Sequence, residues 1–208
     1  MARSSKQWLH RHVTDPYVQK AKAQGYRSRA AFKLLEIDAR ERLLRPGGRV
    51  VDLGAAPGGW SQVAAEKVGA GGVVVAVDLL EVAPIRGVIM LQGDVRDPEI
   101  KARTVQALGG RQADVVLADL SPNLSGIASV DQARAAELVR TAIDFCREHL
   151  LPEGALLAKV FHGESFGELR AELAAVFRSV QTLKPAASRG ESRETYLLGR
   201  RLKVPPGA

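Results

Sequence analysis

The feature that most constrains this sequence is a short apolar run that ends in a glycine-rich turn. Residues 49–53 are mostly apolar and β-branched, which predicts a buried strand. Three glycines and a proline follow within residues 54–59, and the segment 61–68 is compatible with a helix. A strand, a glycine turn and a helix in this order predict the first unit of a nucleotide-type α/β fold. Glycines in such a turn let the backbone approach a ligand closely.

The spacing of this turn disfavours two common nucleotide sites. It does not match the G-x-G-x-x-G pattern of dinucleotide enzymes, and it lacks the Gly-Lys-Ser/Thr of a phosphate-binding loop. Asp52, Gly54 and Gly58 instead give acid-x-Gly-x-x-x-Gly, a spacing typical of loops that bind S-adenosylmethionine (SAM). A tight turn in any doubly wound sheet is the alternative, so the interpretation depends on residues further along the chain.

Acids follow the next two predicted strands. Residues 73–77 read as the second strand, and Asp78 stands at its end, 24 residues after the first glycine of the turn. A carboxylate there is placed to accept hydrogen bonds from ribose hydroxyls. The third predicted strand, 88–91, is followed by Asp94, which we expect to accept a bond from an adenine amino group beside the Val95 amide.

Two further charged residues belong to apolar strands that we predict to be central. Residues 113–118 are nearly all apolar and end in Asp119, which points to the same crevice as the glycine turn. Lys159 interrupts the fifth predicted strand, 155–161. Burying a lysine is costly unless it is paired or neutral, so Lys159 is a candidate functional residue.

The remaining elements follow from helical periodicity and capping signals. We expect helices at 28–44, 97–108, 129–150 and 165–177, capped by Ser28, Asp97, Ser129 and Ser165, and a closing pair of strands at 180–183 and 195–198. Asp15-Pro16 and Gly25 predict turns, and residues 184–193 predict a mobile polar loop near the substrate. We therefore expect a basic N-terminal extension at 1–26 and one α/β domain at 27–208.

The positive charge of the chain is concentrated near its start. The formal net charge is +7, and residues 1–49 hold twelve Lys and Arg against four acids, a net charge of +8. Together with Trp8, Tyr17 and Tyr26, this composition favours nucleic acid, where cations meet phosphates and rings stack on bases. A solvated tail is the alternative.

Composition also bears on the compartment. No apolar run approaches the roughly 18 residues of a membrane span, and residues 1–12 lack the apolar core of a secretory signal. The single cysteine, Cys146, is unable to form an internal disulfide or a cysteine zinc site. We expect a cytoplasmic protein without a metal or a membrane partner. Nothing in the sequence demands a dimer, so a monomer is expected.

Seven motifs occur in order and together resemble the FtsJ-like ribose 2′-O-methyltransferases. They are the segments 26–33, 52–62, 78–80, 92–94, 119–126, 159–164 and 192–196. The resemblance extends from about residue 7 to residue 202. It implies a class I SAM-dependent methyltransferase, with a seven-stranded, mostly parallel sheet and helices on both faces. The implied substrate is a ribose 2′-hydroxyl of ribosomal RNA, most similar to the family members that methylate a uridine of 23S RNA in the large ribosomal subunit.

The resemblance also implies the residues of the site. The family is described by a Lys-Asp-Lys-Glu tetrad, and the matching residues are Lys33, Asp119, Lys159 and Glu194. The implied SAM site, which also holds the product S-adenosylhomocysteine (SAH), comprises Gly54, Pro57, Gly58, Gly59, Trp60, Asp78, Asp94, Val95 and Asp119. Ser121 differs from the residue expected in close relatives, and we interpret it as tolerated variation.

The implied reaction needs an aligned hydroxyl oxygen, methyl group and sulfur, together with help in removing the hydroxyl proton. Lys159 is the candidate base, which must be neutral to act; burial and Lys33 favour the neutral form, whereas Asp119 and Glu194 oppose it. Alternatively, a charged Lys159 stabilises the developing alkoxide. Lys33 would position the ribose or its phosphate, and Glu194 would contribute least.

Three other functions fit the sequence less well than ribose methylation. Amino-group methyltransferases of nucleic acids carry Asp/Asn-Pro-Pro-aromatic after the fourth strand, and the segment 119–123 has neither the paired prolines nor the ring. A ribosome-assembly factor that only binds RNA would also use the basic N-terminal residues, but it would not need the four tetrad residues. The glycine spacing disfavours a nicotinamide dehydrogenase.

Overall fold

The computed structural model describes residues 15–123, 125–188 and 192–203, which form a seven-stranded sheet. The strands are β1 Arg49–Leu53, β2 Val73–Asp78, β3 Val88–Gln92, β4 Ala113–Ala118, β5 Leu150–Phe161, β6 Phe177–Leu183 and β7 Glu194–Leu202. Their order is β3-β2-β1-β4-β5-β7-β6. The first five strands are parallel, and β7 runs antiparallel to both β5 and β6. The mostly parallel sheet and the closing strand pair predicted from the sequence are confirmed.

Helices cover both faces of the sheet, as predicted. They are α1 Pro16–Ala23, α2 Ala30–Glu41, α3 Gly59–Val68, α4 Pro98–Ala107, α5 Ala128–His149 and α6 Phe166–Val176. Residues of α2 and α3 pack on one face, and residues of α4, α5 and α6 pack on the other. Leu157 of β5 faces the first group, whereas its neighbours Leu156 and Ala158 face the second. Because both faces are covered, the central strands are apolar at nearly every position.

The order of the strands reverses at β1, and this reversal positions the functional site. Leu53, the last residue of β1, pairs with Val77 of β2 on one side and with Ala118 of β4 on the other. The turns that follow β1, β2 and β4 therefore open at one edge of the sheet. In open parallel sheets, ligands bind in the crevice at this edge.

Gly54 allows the turn after β1 to pass close to the chain after β4. Its φ angle is 77°, and a Cβ atom there would lie 2.9 Å from the Leu120 side chain and 3.0 Å from the Leu120 Cα. Another residue would meet both a strained backbone conformation and a steric clash. The first glycine of the motif is therefore required by the packing of two loops as well as by access for a ligand.

The sequence predicted a turn at Asp15-Pro16, but the structure has a helix, α1, beginning there. Asp15 is its N-cap and accepts a hydrogen bond from the Tyr17 amide at 3.0 Å, and Pro16 is the first helical residue. Both are standard helix-start signals, but a helix of eight residues is too short to show a clear periodic pattern of apolar residues. Residues 1–14, most of the predicted basic extension including Trp8, lie outside the described residues.

Two of the predicted caps are wrong. The N-cap of α2 is Arg29 rather than Ser28, and the buried Ser28 hydroxyl has no hydrogen-bond partner among the described residues. Helix α5 begins before Ser129, and the Asp131 carboxylate accepts hydrogen bonds from the amides that precede the helix. The helix has Ile127 at its N-cap and no side-chain capping bond, and Asp131 instead fixes the chain that leads into it. Asp97 is confirmed as the cap of α4, because it accepts a bond from the Glu99 amide at 2.9 Å.

Two element ends also differ from prediction. Helix α2 ends at Glu41 rather than at Leu44, because the buried Asp38 carboxylate accepts a hydrogen bond from the Leu44 amide at 2.8 Å. Strand β5 begins at Leu150 rather than at residue 155, with a register shift against β4 in between. The end of α2 is set by a hydrogen bond between residues six apart, and the start of β5 by pairing with β4; neither is encoded in the apolar periodicity of one segment.

Part of the predicted polar loop between β6 and β7 packs against the N-terminal helices. Ala187 is fully buried and forms an apolar cluster with Ala21 of α1 and Phe32 of α2. The Ala187 amide also donates to the Glu36 carboxylate at 3.1 Å. The described part of this loop, residues 184–188, is therefore attached to the domain rather than free; residues 189–191 lie outside the described part of the chain.

We predict that Phe32 holds α1 and this loop to the domain. Its ring lies 5.6 Å from the Tyr17 ring and 5.7 Å from the Tyr26 ring, and the residue is 4% exposed. Phe32→Ala should lower the free energy of unfolding by about 3–5 kcal/mol, measured by urea denaturation, and should make α1 sensitive to protease. Ile89→Ala, at a residue 43% exposed on β3, is the control and should cost less than about 0.5 kcal/mol. A change at Phe32 as small as the control would mean that residues 15–26 do not fold with the domain.

Candidate active site and cofactor cleft

A cleft of about 590 Å³ opens at the edge of the sheet where the strand order reverses. Its volume is in the usual range for a site that binds a small molecule. Five of the predicted cofactor residues line it: Gly54, Asp78, Asp94, Val95 and Asp119. The exposed side chains of Leu79 and Leu80 add apolar surface beside these acids.

Asp78 joins the end of β2 to the glycine turn. Its Oδ2 accepts a hydrogen bond from the Ala56 amide at 2.8 Å, and its Oδ1 accepts one from the Leu80 amide at 2.8 Å. A carboxylate oxygen has two lone pairs, so each oxygen keeps one for a further donor such as a ribose hydroxyl. Asp78 therefore shapes the turn and also presents acceptors to the cleft.

Asp94 is held by Arg96, a cleft residue that the sequence reasoning missed. The Arg96 guanidinium donates to both carboxylate oxygens of Asp94, with Nη2 2.6 Å from Oδ2, and the Arg96 amide donates to Oδ1 at 2.9 Å. These hydrogen bonds hold the pKa of Asp94 below its ordinary value, although partial burial opposes this. Arg96 stands two residues after Asp94, and this spacing was the sequence signal that could have predicted their pairing.

The other predicted cofactor residues, Pro57, Gly58, Gly59 and Trp60, are absent from the lining of the cleft. Trp60 is 2% exposed, its Nε1 donates to the Ala30 carbonyl at 2.8 Å, and its ring packs 5.6 Å from the Tyr196 ring. The indole therefore faces α2 and the core. This segment forms the N-terminus of α3, and the first amides of a helix have no partner within the helix. The segment can therefore contribute main-chain groups to a cofactor.

The structure brings the four predicted tetrad residues together from four different elements. Lys159 of β5 is 8% exposed, and its Nζ lies 3.2 Å from Asp119 Oδ1, 3.0 Å from the Asp119 carbonyl oxygen and 2.6 Å from Ser121 Oγ. Three acceptors match the three N–H groups of an ammonium. Ser121, which we interpreted from the sequence as tolerated variation, contacts Lys159 through its hydroxyl.

Lys33 and Glu194 form a second ion pair beside the first. Lys33 Nζ on α2 lies 2.5 Å from Glu194 Oε1 at the start of β7. Burial of the Glu194 carboxyl would raise its pKa, but the charges of Lys33 and Lys159 and the hydrogen bonds from Lys33 and Tyr196 outweigh burial and lower the pKa. Glu194 is therefore ionised and holds the Lys33 ammonium at the edge of the site.

Tyr196 connects the two ion pairs and was given no role from the sequence. Its hydroxyl lies 3.0 Å from Glu194 Oε1 and 3.5 Å from Asp119 Oδ1, and it has one hydrogen to donate. Burial and the charges of these two acids raise the pKa of Tyr196, so the phenol stays neutral. Tyr196 pairs with Lys159 in the β5–β7 register, and this cross-strand neighbour relation is what the sequence alone does not reveal.

Asp52, beneath the glycine turn, is a fully buried acid next to the site. Its Oδ2 accepts a hydrogen bond from Ser61 Oγ at 2.6 Å, which joins β1 to α3 across the turn. Its Oδ1 has no partner among the described residues. Burial, with the nearby charges of Asp119 and Asp78, raises the pKa of Asp52 to about 7. The acid is therefore protonated over much of the range in which free aspartate is ionised.

Asp52 should make the protein less stable as pH rises through the mildly acidic range. Its pKa is about 7 in the folded chain and 3.8 in the reference state, so between these values the folded chain binds more protons than the unfolded chain. The free energy of unfolding then falls with increasing pH, by up to about 1.4 kcal/mol per pH unit from this group, and levels off above pH 7. Asp52→Asn should flatten this dependence.

The measurement is urea denaturation at several pH values between 4 and 8. Asp144→Asn is the control, because Asp144 is exposed on α5 and pairs with Arg147 at the surface. It should leave the slope of the wild-type chain nearly unchanged. A slope in Asp52→Asn equal to that of the wild type would contradict the assignment of a raised pKa to Asp52.

None of the helices within 15–123, 125–188 and 192–203 is both long and apolar enough to cross a bilayer. No cluster of three or more His, Cys, Asp and Glu in the same residues is arranged to hold a metal ion.

Comparison with known proteins agrees with this geometry. A sequence model of the FtsJ-like methyltransferase family matches residues 26–202. A protein of Azoarcus sp. is 54% identical over 197 residues, covering 95% of this chain and 96% of the relative. A protein of Verminephrobacter eiseniae is 53% identical, covering 96% of this chain and 82% of the relative. Both are named Ribosomal RNA large subunit methyltransferase E.

Solved structures give the same assignment of the fold. A Plasmodium falciparum protein assigned as a ribosomal RNA methyltransferase superposes with a TM-score of 0.75 at 26% identity, covering 85% of this chain and 98% of its own. Fibrillarin of Aeropyrum pernix, solved with bound SAM, has a TM-score of 0.58 at 19% identity and supports the fold alone; the match covers 84% of this chain and 75% of fibrillarin. The fold, the enzyme class and the SAM cofactor predicted from the sequence are confirmed. This chain belongs to the FtsJ-like methyltransferase family.

Proposed function

We propose that this chain transfers the methyl group of SAM to the ribose 2′-hydroxyl of a uridine in 23S ribosomal RNA of the large subunit. The observation that carries the proposal is the Lys159–Asp119 pair, whose charged atoms lie 3.2 Å apart and whose Asp119 lines the cleft. The names of the similar proteins from Azoarcus and Verminephrobacter support ribosomal RNA of the large subunit as the substrate.

The acids of the cleft fit the parts of SAM. Asp78 would accept hydrogen bonds from the ribose hydroxyls, and Asp94 would accept one from the adenine amino group next to the Val95 amide. Asp119 would lie beside the sulfonium, where a carboxylate attracts the positive charge. Gly54 and the residues that follow it, including Pro57, Gly58, Gly59 and Trp60, would contribute main chain to the methionine part of SAM.

The cluster around Lys159 fits methyl transfer to a hydroxyl. The hydroxyl oxygen attacks the methyl carbon in line with the sulfur, the new O–C bond forms, and the C–S bond breaks to leave SAH. As that bond forms, the hydroxyl proton becomes acidic, and it would pass to the Asp119 carboxylate, which has lone pairs to accept it. Lys159 Nζ has three acceptors within the chain, and we propose that it exchanges one of them for the substrate hydroxyl, which it would orient while stabilising negative charge on the oxygen.

Lys33 and Glu194 would act on the RNA side of the cluster. Lys33 Nζ is held by Glu194, and we assign it to the ribose or the phosphate of the target nucleotide. All four tetrad residues come from one chain, which supports action as a monomer. The basic N-terminal part of the chain fits an RNA partner, and we place the reaction in the cytoplasm, where ribosomal subunits are assembled.

Ribose methylation mapped in ribosomal RNA from cells that lack this protein tests the proposed substrate. A single uridine of 23S RNA should lose its 2′-O-methyl group, and a plasmid copy of the wild-type gene should restore it. A plasmid copy carrying Lys159→Ala is the matched control and should not restore it. Unchanged methylation at every 23S ribose in the deleted cells would contradict the proposal.

We predict that Lys159 affects the chemical step rather than cofactor binding. Lys159→Ala should lower turnover at saturating SAM and RNA by about 10²–10⁴-fold, because its hydrogen bonds act on the attacking hydroxyl, while SAH affinity should change by less than about threefold. Asp78→Ala should have the opposite effect and weaken SAH binding by about tenfold or more. Radiolabelled methyl transfer and calorimetry measure the two quantities. Near-normal turnover of Lys159→Ala would remove Lys159 from the reaction.

A further inference from the structure

Arg27 contacts both of the loops that frame the cofactor cleft, although its side chain lies outside the cleft lining. Its Nη1 donates to the Ala83 carbonyl at 2.6 Å and to the Pro57 carbonyl at 3.3 Å, and its Nη2 donates to the Pro84 carbonyl at 2.8 Å. Pro57 belongs to the glycine turn after β1, and Ala83 and Pro84 belong to the loop after β2. One guanidinium thus links two loops beyond the ends of their strands.

The main chain around Arg27 is fixed by Gln62 of α3. The Arg27 amide donates to Gln62 Oε1 at 2.8 Å, and Gln62 Nε2 donates to the Gly25 carbonyl at 3.0 Å. The two bonds use both ends of one amide side chain. Because α3 is the helix that begins at the glycine turn, this clasp fixes the position from which the Arg27 guanidinium reaches the loops.

Gly58 brings the same three parts into direct contact. Its φ angle is 112°, and a Cβ atom there would lie 2.5 Å from Ile85 Cδ1 and 3.3 Å from Arg27 Cδ. Ile85 belongs to the loop after β2, so the glycine turn, that loop and Arg27 pack together without space for a side chain at Gly58. A displacement of Arg27 would therefore reach both walls of the cleft.

Arginine has the geometry for this task, and lysine does not. A guanidinium has five N–H donors in a plane and can serve carbonyls in several directions, whereas an ammonium has three donors at one point. We propose that Arg27 is a positioning residue for the cofactor. Its guanidinium sets the distance between the glycine turn and the loop after β2. The inference rests on the proposed function only in taking SAM and SAH as the ligands of the cleft.

The position of Arg27 in the chain gives this role a consequence. Residues 25–29 lead directly into α2, which carries Lys33. The cofactor loops and the lysine assigned to the RNA side are therefore anchored to one short segment. An exposed arginine in a basic segment would otherwise be assigned to RNA phosphates, and the experiment must separate these two roles.

Calorimetric titration with SAH in the absence of RNA separates them. Arg27→Ala should weaken SAH binding by about tenfold, through loss of the hydrogen bonds to the loops, and Arg27→Lys should lie between Arg27→Ala and wild type. Arg103→Ala, at an exposed position of α4, removes the same charge and should leave SAH affinity unchanged. In turnover assays, Arg27→Ala should raise the KM for SAM by a similar factor, while kcat at saturating SAM stays within about twofold of wild type.

An SAH affinity of Arg27→Ala within about twofold of wild type, together with a raised KM for RNA, would overturn the proposal and assign Arg27 to RNA binding. Should Arg27→Ala fail to fold, Arg27→Lys and Gln62→Ala test the same claim. Both should weaken SAH binding several-fold, and unchanged affinity in both would overturn it. Failure of the wild-type chain to bind SAH would instead contradict the proposed function.

Discussion

The ion pair between Lys159 and Asp119 is the interaction on which the arrangement of the site depends. An ammonium that is 8% exposed must be compensated, because an unpaired charge in the interior costs several kcal/mol. The compensation comes from the end of β4, where Asp119 provides both a carboxylate and a carbonyl oxygen and Ser121 provides a hydroxyl. Parallel pairing of β4 with β5 brings these groups to the same edge of the sheet as the glycine turn. The apolar central strands are therefore a frame that holds one costly polar contact in place.

The acids around the glycine turn form an anionic site whose charge is only partly balanced by the chain. Asp78 is satisfied by backbone amides and Asp94 by Arg96, whereas Asp52 is buried with one oxygen unpartnered among the described residues. Burial, with a further contribution from the charges of Asp119 and Asp78, favours the protonated form of Asp52 and raises its pKa to about 7. In the proposed complex, the sulfonium of SAM would add a positive charge near these acids.

The sequence predicted those parts of the structure that depend on local pattern. Apolar runs predicted the five parallel strands, and the family resemblance predicted the seven-stranded sheet; the acids after these strands and Lys159 within β5 predicted which residues meet at one edge of it. Helix caps and ends were predicted less well, because Asp131 and Asp38 capture backbone amides that a local rule assigns elsewhere. Tyr196 and Ser121 were missed for a related reason: their proximity to Lys159 is set by the β5–β7 register and by the path of the chain after β4. The apolar periodicity of a single segment predicts neither the register between two strands nor the path of a loop.

The net charge of the N-terminal segment overstates the number of cations available to a nucleic acid. Residues 1–49 carry a net charge of +8, which favoured a nucleic-acid partner from composition alone. Several of these cations are engaged within the chain: Arg27 with loop carbonyls, Arg29 with Asp15, Lys33 with Glu194, and both Arg45 and Arg49 with Asp114. A cation held in this way either positions other groups or, as proposed for Lys33, acts at the site, so a count of cations overstates the charge available for general contact with RNA phosphates. For Arg27 and Lys33, within the motif at residues 26–33, we therefore propose that positioning of the cofactor loops and of the target nucleotide comes before general electrostatic attraction to RNA.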